Sequence, residues 1–246
     1  MQAIMDSPIM PVIKLESLDM SKIDWMFVKE IFTVSAFTLI MMTALELLTW
    51  NDEWKQKFKK KEIKALYFEA WKVNLIHYVV LGPIAYAGAV IIHHRLTETS
   101  PWIGVPGLFL SQSVGYALCH AWMHDPIRYA KIHKYHHTFS EKTFVRPVSA
   151  NATTTAEFIV AYITPIVTGI VVFRPPYMAI WCLVSSLSVI NLLIHTDTAV
   201  LPMGWLPDFF VTNQKHFFHH EKNVRKHYSA PLFDLDHLLG LSKDKN

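Results

Sequence analysis

The sequence has few charged residues. They make up 17% of the 246-residue chain, compared with about 25% in an average soluble domain, while hydrophobic residues make up 52%. A chain with such a large hydrophobic fraction is not intrinsically disordered. A formal net charge of +3 is too small to indicate nucleic-acid binding. The two cysteines, Cys119 and Cys182, both lie in apolar runs, so no disulfide framework is predicted. The composition therefore indicates a membrane protein.

Five apolar runs follow an N-terminal tail, residues 1–24, that lacks the basic start and apolar core of a signal peptide. The runs cover 31–49, 73–92, 102–119, 158–173 and 177–194. A bilayer core needs about 20 helical residues, with about 17 as the minimum. The last two runs form a tight hairpin, because the Pro175-Pro176 pair between them cannot continue a helix. We predict an all-α integral membrane protein with four to five transmembrane or interfacial helices, in one membrane-embedded domain over residues 25–246.

The basic residues indicate an orientation. Residues 51–72 hold seven lysines, whereas residues 93–101 hold the single Arg95. The positive-inside rule places the lysine-rich segment in the cytosol and the second segment on the other side of the membrane. The third apolar run then returns the chain to the cytosolic face near residue 120. The last two runs cross the membrane and come back, so the segment after residue 194 is also on the cytosolic face. The alternative is that the lysines form only a solvated helix face.

Eight of the 14 histidines fall into three clusters at the spacing of metal ligands. Residues three and four apart share one face of a helix. An HxxxH pattern should therefore direct two imidazoles to one point, and each HxxHH pattern three. Three helical segments carrying eight imidazoles suit two metal ions, in a histidine-rich helical cap on the cytosolic side of the bundle. The clusters are His120 and His124; His133, His136 and His137; and His216, His219 and His220.

The remaining histidines carry weaker signals. His195 follows an apolar run and is a candidate ninth ligand. Single histidines at a membrane interface are more often capping or interfacial residues, and His77, His93, His94 and His237 have this character. No zincin HExxH motif is present. Imidazole ligands alone suit zinc, copper, nickel or iron, so the spacing does not identify the metal.

The histidine-rich segments resemble the fatty acid hydroxylase and sterol desaturase superfamily, the membrane histidine-box diiron oxygenases. The resemblance runs from about residue 102 to residue 240. It rests on HAWMH (120–124), YAKIHKYHH (129–137), LIHTDTAVLP (193–202) and KHFFHHEKNVRKHYSAPLFDLDHLLG (215–240). The nine-residue step from His124 to His133 is most similar to sterol C-4 methyl oxidases and sterol C-5 desaturases, with sphingoid-base C-4 hydroxylases also near.

The resemblance implies an oxidoreductase that hydroxylates or desaturates a lipid, using O2 and external electrons. The leading substrate is a sterol 4-methyl group, and a sphingoid base or fatty acyl chain is the alternative. A hypothesis of another class is a non-catalytic membrane scaffold that retains the fold. The implied cofactors are two iron ions, which zinc can replace in a recombinant sample. The implied electron donor is a cytochrome b5 type protein with its reductase. The implied location of the protein is the endoplasmic reticulum, with the metal site facing the cytosol.

The candidate site residues are therefore metal ligands, within histidine boxes 120–137 and 195–220, and no further catalytic residue is predicted. The second ring nitrogen of each ligand needs an acceptor that fixes the tautomer. Nearby acidic residues are the candidates for that role. The predicted ligands are His120, His124, His133, His136, His137, His195, His216, His219 and His220, and the predicted acceptors are Asp125, Glu157, Asp197, Glu221 and Asp236.

Overall fold

A computed structural model describes residues 25–222 and 227–240. The predicted tail, residues 1–24, lies outside the described residues. The protein is 71% helical, and no β-strand occurs in the described part of the chain, which confirms the all-α prediction. The α-helices are α1 (Trp25–Leu48), α2 (Asp52–Phe58), α3 (Lys61–Ile76), α4 (Gly82–His93), α5 (Pro101–Met123), α6 (Pro126–Arg128), α7 (Thr155–Glu157), α8 (Thr164–Phe173), α9 (Tyr177–Ile194), α10 (Asn213–Lys222) and α11 (Leu235–Leu238).

Three π-helical segments interrupt or extend these helices. They are His77–Leu81 between α3 and α4, Tyr129–His133 after α6, and Phe158–Ile163 between α7 and α8. Two 3₁₀ turns, His136–Thr138 and Pro147–Ser149, lie in the connection between α6 and α7. Wide π turns occur frequently at functional sites, because they redirect side chains that a regular α-helix would place elsewhere.

Four helical stretches are long and apolar enough to cross a membrane: Lys29–Leu48, Lys61–His93, Thr155–Phe173 and Tyr177–Ile194. This number agrees with the predicted four to five. The remaining apolar run, residues 102–119, lies in α5, which is not among the four, although the 23 residues of this helix extend about 35 Å. The predicted hairpin is also confirmed: α8 ends at Phe173, Arg174 adopts a left-handed conformation, and α9 begins at Tyr177.

The connections between helices define two ends of the bundle. At one end, which we call the far end, the segment after α4 contacts the α8–α9 turn. Thr99 Oγ1 donates to the Phe173 carbonyl at 2.6 Å, and His93 Nε2 lies 2.7 Å from the Pro175 carbonyl oxygen. We call the opposite end the histidine end. Helices α5 and α9 end there, and α10 begins there. The histidine clusters therefore lie at a single end of the bundle.

Helices α5 and α8 cross in close contact because small residues line their interface. A Cβ atom built on Gly107 would lie 2.3 Å from the Phe173 ring, and one on Gly115 would lie 2.8 Å from Pro165. Neither position has room for a larger side chain. Close packing of this kind stabilises helix pairs in lipid, where apolar surface gives little driving force for association.

A buried ion pair fastens the connection between α6 and α7 to the end of α1. Arg146 Nε donates to Glu46 Oε2 at 2.9 Å, and its Nη1 donates to the Thr49 carbonyl at 2.8 Å. The backbone N–H of Val148 donates to Glu46 Oε1 at 2.7 Å. The Arg146 guanidinium also stacks on Trp54, 4.5 Å from the ring centroid. These contacts explain why an otherwise apolar helix carries a glutamate.

Candidate metal centre

The histidine end contains two neighbouring groups of imidazoles. The first, which we call group A, consists of His120, His124, His133, His137 and His219. The second, group B, consists of His136, His195, His216 and His220. Within each group, one potential ligand atom per residue lies within 4.8 Å of every other. All nine predicted ligands belong to these groups, and their role in binding metal stays a prediction.

Group A converges through ring nitrogens from three segments of the chain. Nε2 of His133 lies 2.9 Å from Nε2 of His120 and 3.0 Å from Nε2 of His137. Nε2 of His124 lies 3.3 Å from Nε2 of His120. His219 enters from α10, with its ring centroid 4.8 Å from those of His120 and His137. Only His124 and His137 in this group are partly exposed.

Group B has the same arrangement but is buried throughout. Nε2 of His216 lies 2.9 Å from Nε2 of His195 and 3.1 Å from Nε2 of His220. His136 completes the group, with its ring centroid 4.7 Å from that of His220. The four side chains come from the end of α9, from α10 and from the 3₁₀ turn that begins at His136 in the second histidine box.

These nitrogen separations fit a metal ion. Two nitrogens bound at about 2.1 Å lie about 3.0 Å apart at a right angle and about 3.4 Å apart at the tetrahedral angle. The observed Nε2–Nε2 distances fall between 2.9 and 3.3 Å. Without a metal, the neutral rings of each group would bring several nitrogen atoms together. There would be too few N–H protons for every one of these close contacts to be a hydrogen bond. The donor set of each group therefore suits a transition metal ion.

The structure corrects the expected division of the histidine boxes. Each HxxHH pattern was expected to direct three imidazoles to one point, but both patterns divide between the groups. His136 belongs to group B while His133 and His137 belong to group A, and His219 belongs to group A while its neighbour His220 belongs to group B. Adjacent residues on a helix point about 100° apart, so one HH pair can reach two different centres.

The second box is also not one regular helix. His133 ends the π-helical segment Tyr129–His133, a turn follows, and His136 begins a 3₁₀ turn. The first box ends α5, with His124 as the residue that follows the helix, and the third box lies on α10 as expected. The prediction of three helical segments is thus correct for the first and third boxes and wrong for the second.

Three of the second ring nitrogens face backbone carbonyl oxygens. His120 Nδ1 lies 2.7 Å from the Tyr228 carbonyl oxygen, and His195 Nδ1 lies 2.7 Å from that of Asn191. His220 Nδ1 lies 2.8 Å from the Phe139 carbonyl oxygen. A proton on Nδ1 leaves Nε2 unprotonated and directed to the centre of the group. No signal in the sequence marks these acceptors, since every residue type has a backbone carbonyl.

Of the five predicted acidic acceptors, Glu157 alone directly contacts a predicted ligand. Its buried Oε1 lies 2.8 Å from Nδ1 of His133. Asp236 acts one step further out, because its Oδ2 accepts the N–H of Tyr228, whose carbonyl faces His120. Both of these acidic side chains are buried beside the histidine groups.

The other three acidic residues correct the prediction. The side chain of Asp125 accepts the N–H of Ile127 and caps α6, and that of Asp197 accepts the N–H of Ala199. Glu221 is exposed on α10. None of the three is found against a histidine ring in the described ranges.

Burial keeps the candidate ligands neutral. Burial and the neighbouring imidazoles lower the pKa of His133 to about 2, and burial lowers that of His195 to about 4. The same causes lower the pKa values of His136, His216 and His220 well below 6.5. Imidazole binds metal in its neutral form, so these side chains are in the binding form at neutral pH.

Histidines predicted to lie outside the site do so. His77 Nδ1 lies 2.9 Å from the Asn151 carbonyl oxygen, and His93 contacts Pro175 at the far end. The exposed His94 and His237 belong to neither group.

A protein-family model described as fatty acid hydroxylase matches residues 105–240, which is more than half of the chain. The matched segment contains all members of groups A and B. No curated protein and no solved structure matches the chain.

Proposed function

The chain belongs to the fatty acid hydroxylase family, and on that premise we propose that it is a membrane diiron oxygenase that hydroxylates or desaturates a lipid. The family generally comprises oxidoreductases that act on lipids in this way. The leading substrate is a sterol 4-methyl group, supported by the nine-residue step between the first two histidine boxes. A sphingoid base or a fatty acyl chain is the alternative substrate.

The observation that carries the proposal is the pair of adjoining imidazole groups. Rings of the two groups are in contact, with the centroids of His137 and His220 5.0 Å apart. Group A offers five imidazoles and group B four, which is a donor set for two metal ions in one site. A non-catalytic scaffold would not need so many buried, neutral histidines directed at one another.

Two iron ions bound there would supply the oxidising chemistry, using O2 and two electrons from outside for attack on an unactivated C–H bond. The protein's own residues prepare the site for it. The carbonyls of Asn191, Phe139 and Tyr228 orient three imidazoles. Glu157 places a carboxyl oxygen 2.8 Å from Nδ1 of His133. The burial of group B excludes water, which prevents side reactions during oxidation.

We assign the protein to the endoplasmic reticulum, with the histidine end in the cytosol. The lysine-rich α2 and the start of α3 follow the end of α1 at the histidine end. A positively charged segment is typical of the cytosolic side of a membrane protein.

Electrons would enter from a cytochrome b5 type donor and its reductase. Exposed lysines on and after α2, among them Lys59 and Lys60, offer a positive surface for an acidic partner. A path of contacts leads inward from α2: the rings of Trp54 and Phe144 lie 5.1 Å apart, and those of Phe144 and Phe139 5.2 Å apart. Replacing Lys59 and Lys60 with glutamate should raise the donor concentration needed for half-maximal turnover without changing metal content.

The experiment that tests the function compares the wild type with His136→Ala and His237→Ala. His136 is buried in group B, whereas His237 is exposed and lies outside both groups. Each protein is produced in a host that supplies cytochrome b5 and reductase, its lipids are compared by mass spectrometry, and the purified protein is assayed for iron and zinc. We expect a lipid product that has gained one oxygen or lost two hydrogens in the wild type and His237→Ala, and none in His136→Ala.

The identity of the modified lipid decides between the substrate classes. A modified sterol supports the leading assignment, and a modified sphingolipid or fatty acyl chain supports the alternative. Metal-free wild-type protein that folds normally and leaves lipids unchanged would refute the oxygenase and favour the scaffold. Turnover retained in His136→Ala would refute its assignment as a ligand.

A further inference from the structure

A cavity of about 100 Å³ lies inside the helical bundle, on the membrane side of the histidine groups. Its walls come from α1, α4, α8, α9 and the π-helical segments His77–Leu81 and Phe158–Ile163. Most of the lining is apolar and includes Ile31, Ala89, Ile166 and Leu187. The cavity is thus suited to an apolar ligand.

One part of the wall is polar. The side-chain amide of Asn151 donates to the Tyr78 hydroxyl at 2.7 Å, and the amide of Asn191 donates to Asn151 Oδ1 at 2.8 Å. All three residues are buried and line the cavity. The Tyr78 hydroxyl accepts the hydrogen bond from Asn151, and no acceptor for its own proton is found among the described residues. This proton is available to an oxygen atom of a ligand.

The polar wall adjoins both histidine groups. Asn191 lines the cavity, and its carbonyl lies 2.7 Å from Nδ1 of His195 in group B. Phe158 also lines the cavity and directly follows Glu157, which contacts His133 in group A. The polar end of the cavity is therefore the end nearest to the candidate metal centre.

The rim of the cavity reaches the lipid-facing surface. Val34 and Ser35 on α1, Val167 on α8, and Val184 on α9 line it and are only half-buried. The volume is about two-thirds of that of a cavity which holds a benzene ring, about 150 Å³. It holds one end of a lipid, and the remainder has to extend past these rim residues toward the bilayer.

We propose that this cavity binds the hydroxyl-bearing end of an apolar lipid, with the hydroxyl at Tyr78, Asn151 and Asn191 and the apolar body toward the bilayer. The inference rests on the proposed function and narrows its substrate class. A lipid held this way has its polar end beside the metal centre, so the oxidised carbon lies within a few bonds of the hydroxyl. The oxidised carbon then corresponds to a substituent next to the hydroxyl of a sterol. It does not correspond to a carbon in the middle of an acyl chain.

The test uses two photoactivatable probes that differ only in one group: a diazirine-bearing octadecanol and the corresponding diazirine-bearing octadecane. Each is added to the full-length protein in nanodiscs, and labelled peptides are mapped by mass spectrometry. We expect the alcohol to label the stretch of α1 around Val34 and Ser35 more strongly than the alkane does. Excess cholesterol, used as a competitor, should reduce this labelling.

Three variants make the test specific. Ser35→Phe fills the cavity rim, whereas Ala36→Phe adds the same side chain to an exposed position on the same helix. Ser35→Phe should lose the alcohol labelling and Ala36→Phe should keep it. Tyr78→Phe removes only the hydroxyl, so the alcohol should bind about two- to tenfold more weakly while the alkane is unaffected. Metal content and thermal unfolding of each variant serve as checks on folding.

Equal labelling by alcohol and alkane that Tyr78→Phe does not change would overturn the proposal, and so would labelling unaffected by Ser35→Phe. The proposed function is tested separately, by measuring the metal content of the protein and its lipid products. Metal-free, inactive protein that still binds the alcohol as described would refute the function and leave the lipid site standing. Active, metal-containing protein without this labelling would refute only the lipid site.

Discussion

Asn191 and His195 lie one helical turn apart at the end of α9, and the carbonyl of Asn191 faces Nδ1 of His195 at 2.7 Å. The Asn191 side chain meanwhile lines the cavity and donates to Asn151. One residue therefore takes part in orienting a candidate ligand and in forming the polar wall of the lipid site. The two sites are contiguous, and a lipid in the cavity would lie one side chain away from group B.

Glu157→Gln should weaken metal binding. The substitution keeps the shape of the side chain but replaces the carboxyl group, whose Oε1 lies 2.8 Å from Nδ1 of His133, with an amide, so the contact that orients this imidazole changes. Changes at such supporting residues reduce metal affinity or activity by about 10- to 100-fold. Competition with a chelator measures the effect, with Glu221→Gln as the control, because Glu221 is exposed on α10. Unchanged affinity in Glu157→Gln would show that the carboxylate does not support the ligand.

Breaking the Glu46–Arg146 pair should strongly destabilise the protein. Removing one partner of a buried ion pair costs about 3–5 kcal/mol in the free energy of unfolding, because the other charge stays buried without compensation. Glu46→Gln, Arg146→Met and the double variant are compared by denaturant titration in micelles. The double variant should lose less than the sum of the single losses.

The matched control for this cycle is Glu53→Gln, which removes an exposed ion pair with Lys57. Such surface pairs contribute little to stability, so no measurable change is expected. Additive effects of the two buried substitutions would contradict a direct coupling between Glu46 and Arg146.

The metal-free protein should lose stability as the pH falls below about 6.5. Histidine in the unfolded chain has a pKa of about 6.5, whereas the folded-state pKa is about 2 for His133 and about 4 for His195. Between these values the unfolded state binds more protons than the folded state, so acid favours unfolding. Thermal unfolding after chelator treatment, followed from about pH 7.5 to about pH 5, measures this. A melting temperature independent of pH would contradict it.

The orientation in the membrane can be tested with single cysteines. Lys59 and Thr97 are exposed at the histidine end and the far end, respectively. With Cys119 and Cys182 replaced by serine, Lys59→Cys in sealed microsomes should react with a membrane-impermeant maleimide, and Thr97→Cys should react only after permeabilisation. The reverse pattern would place the metal centre in the lumen. The sequence Asn151-Ala152-Thr153 is an N-glycosylation sequon. It is unsuitable for this test, because the Asn151 side chain is buried and hydrogen-bonded to Tyr78.

The sequence by itself determined the class of the protein and the content of the candidate site. Long apolar runs fixed where helices form, since a bilayer requires about 20 apolar residues for each span. The prolines at 175 and 176 fixed the hairpin between α8 and α9. The histidine spacing identified eight members of the two groups, and the position of His195 after an apolar run identified the ninth. These features are local, so neighbouring residues are sufficient to encode them.

Only the tertiary structure decided how the histidines divide and what surrounds them. His120 meets the carbonyl of Tyr228, which lies 108 residues later, and Asn74 donates to the Val148 carbonyl across 74 residues. The π turn before the second box and the polar wall of the cavity likewise depend on how distant segments pack. Contacts of this kind are set by the packing of the whole bundle, and no local pattern in the chain specifies them.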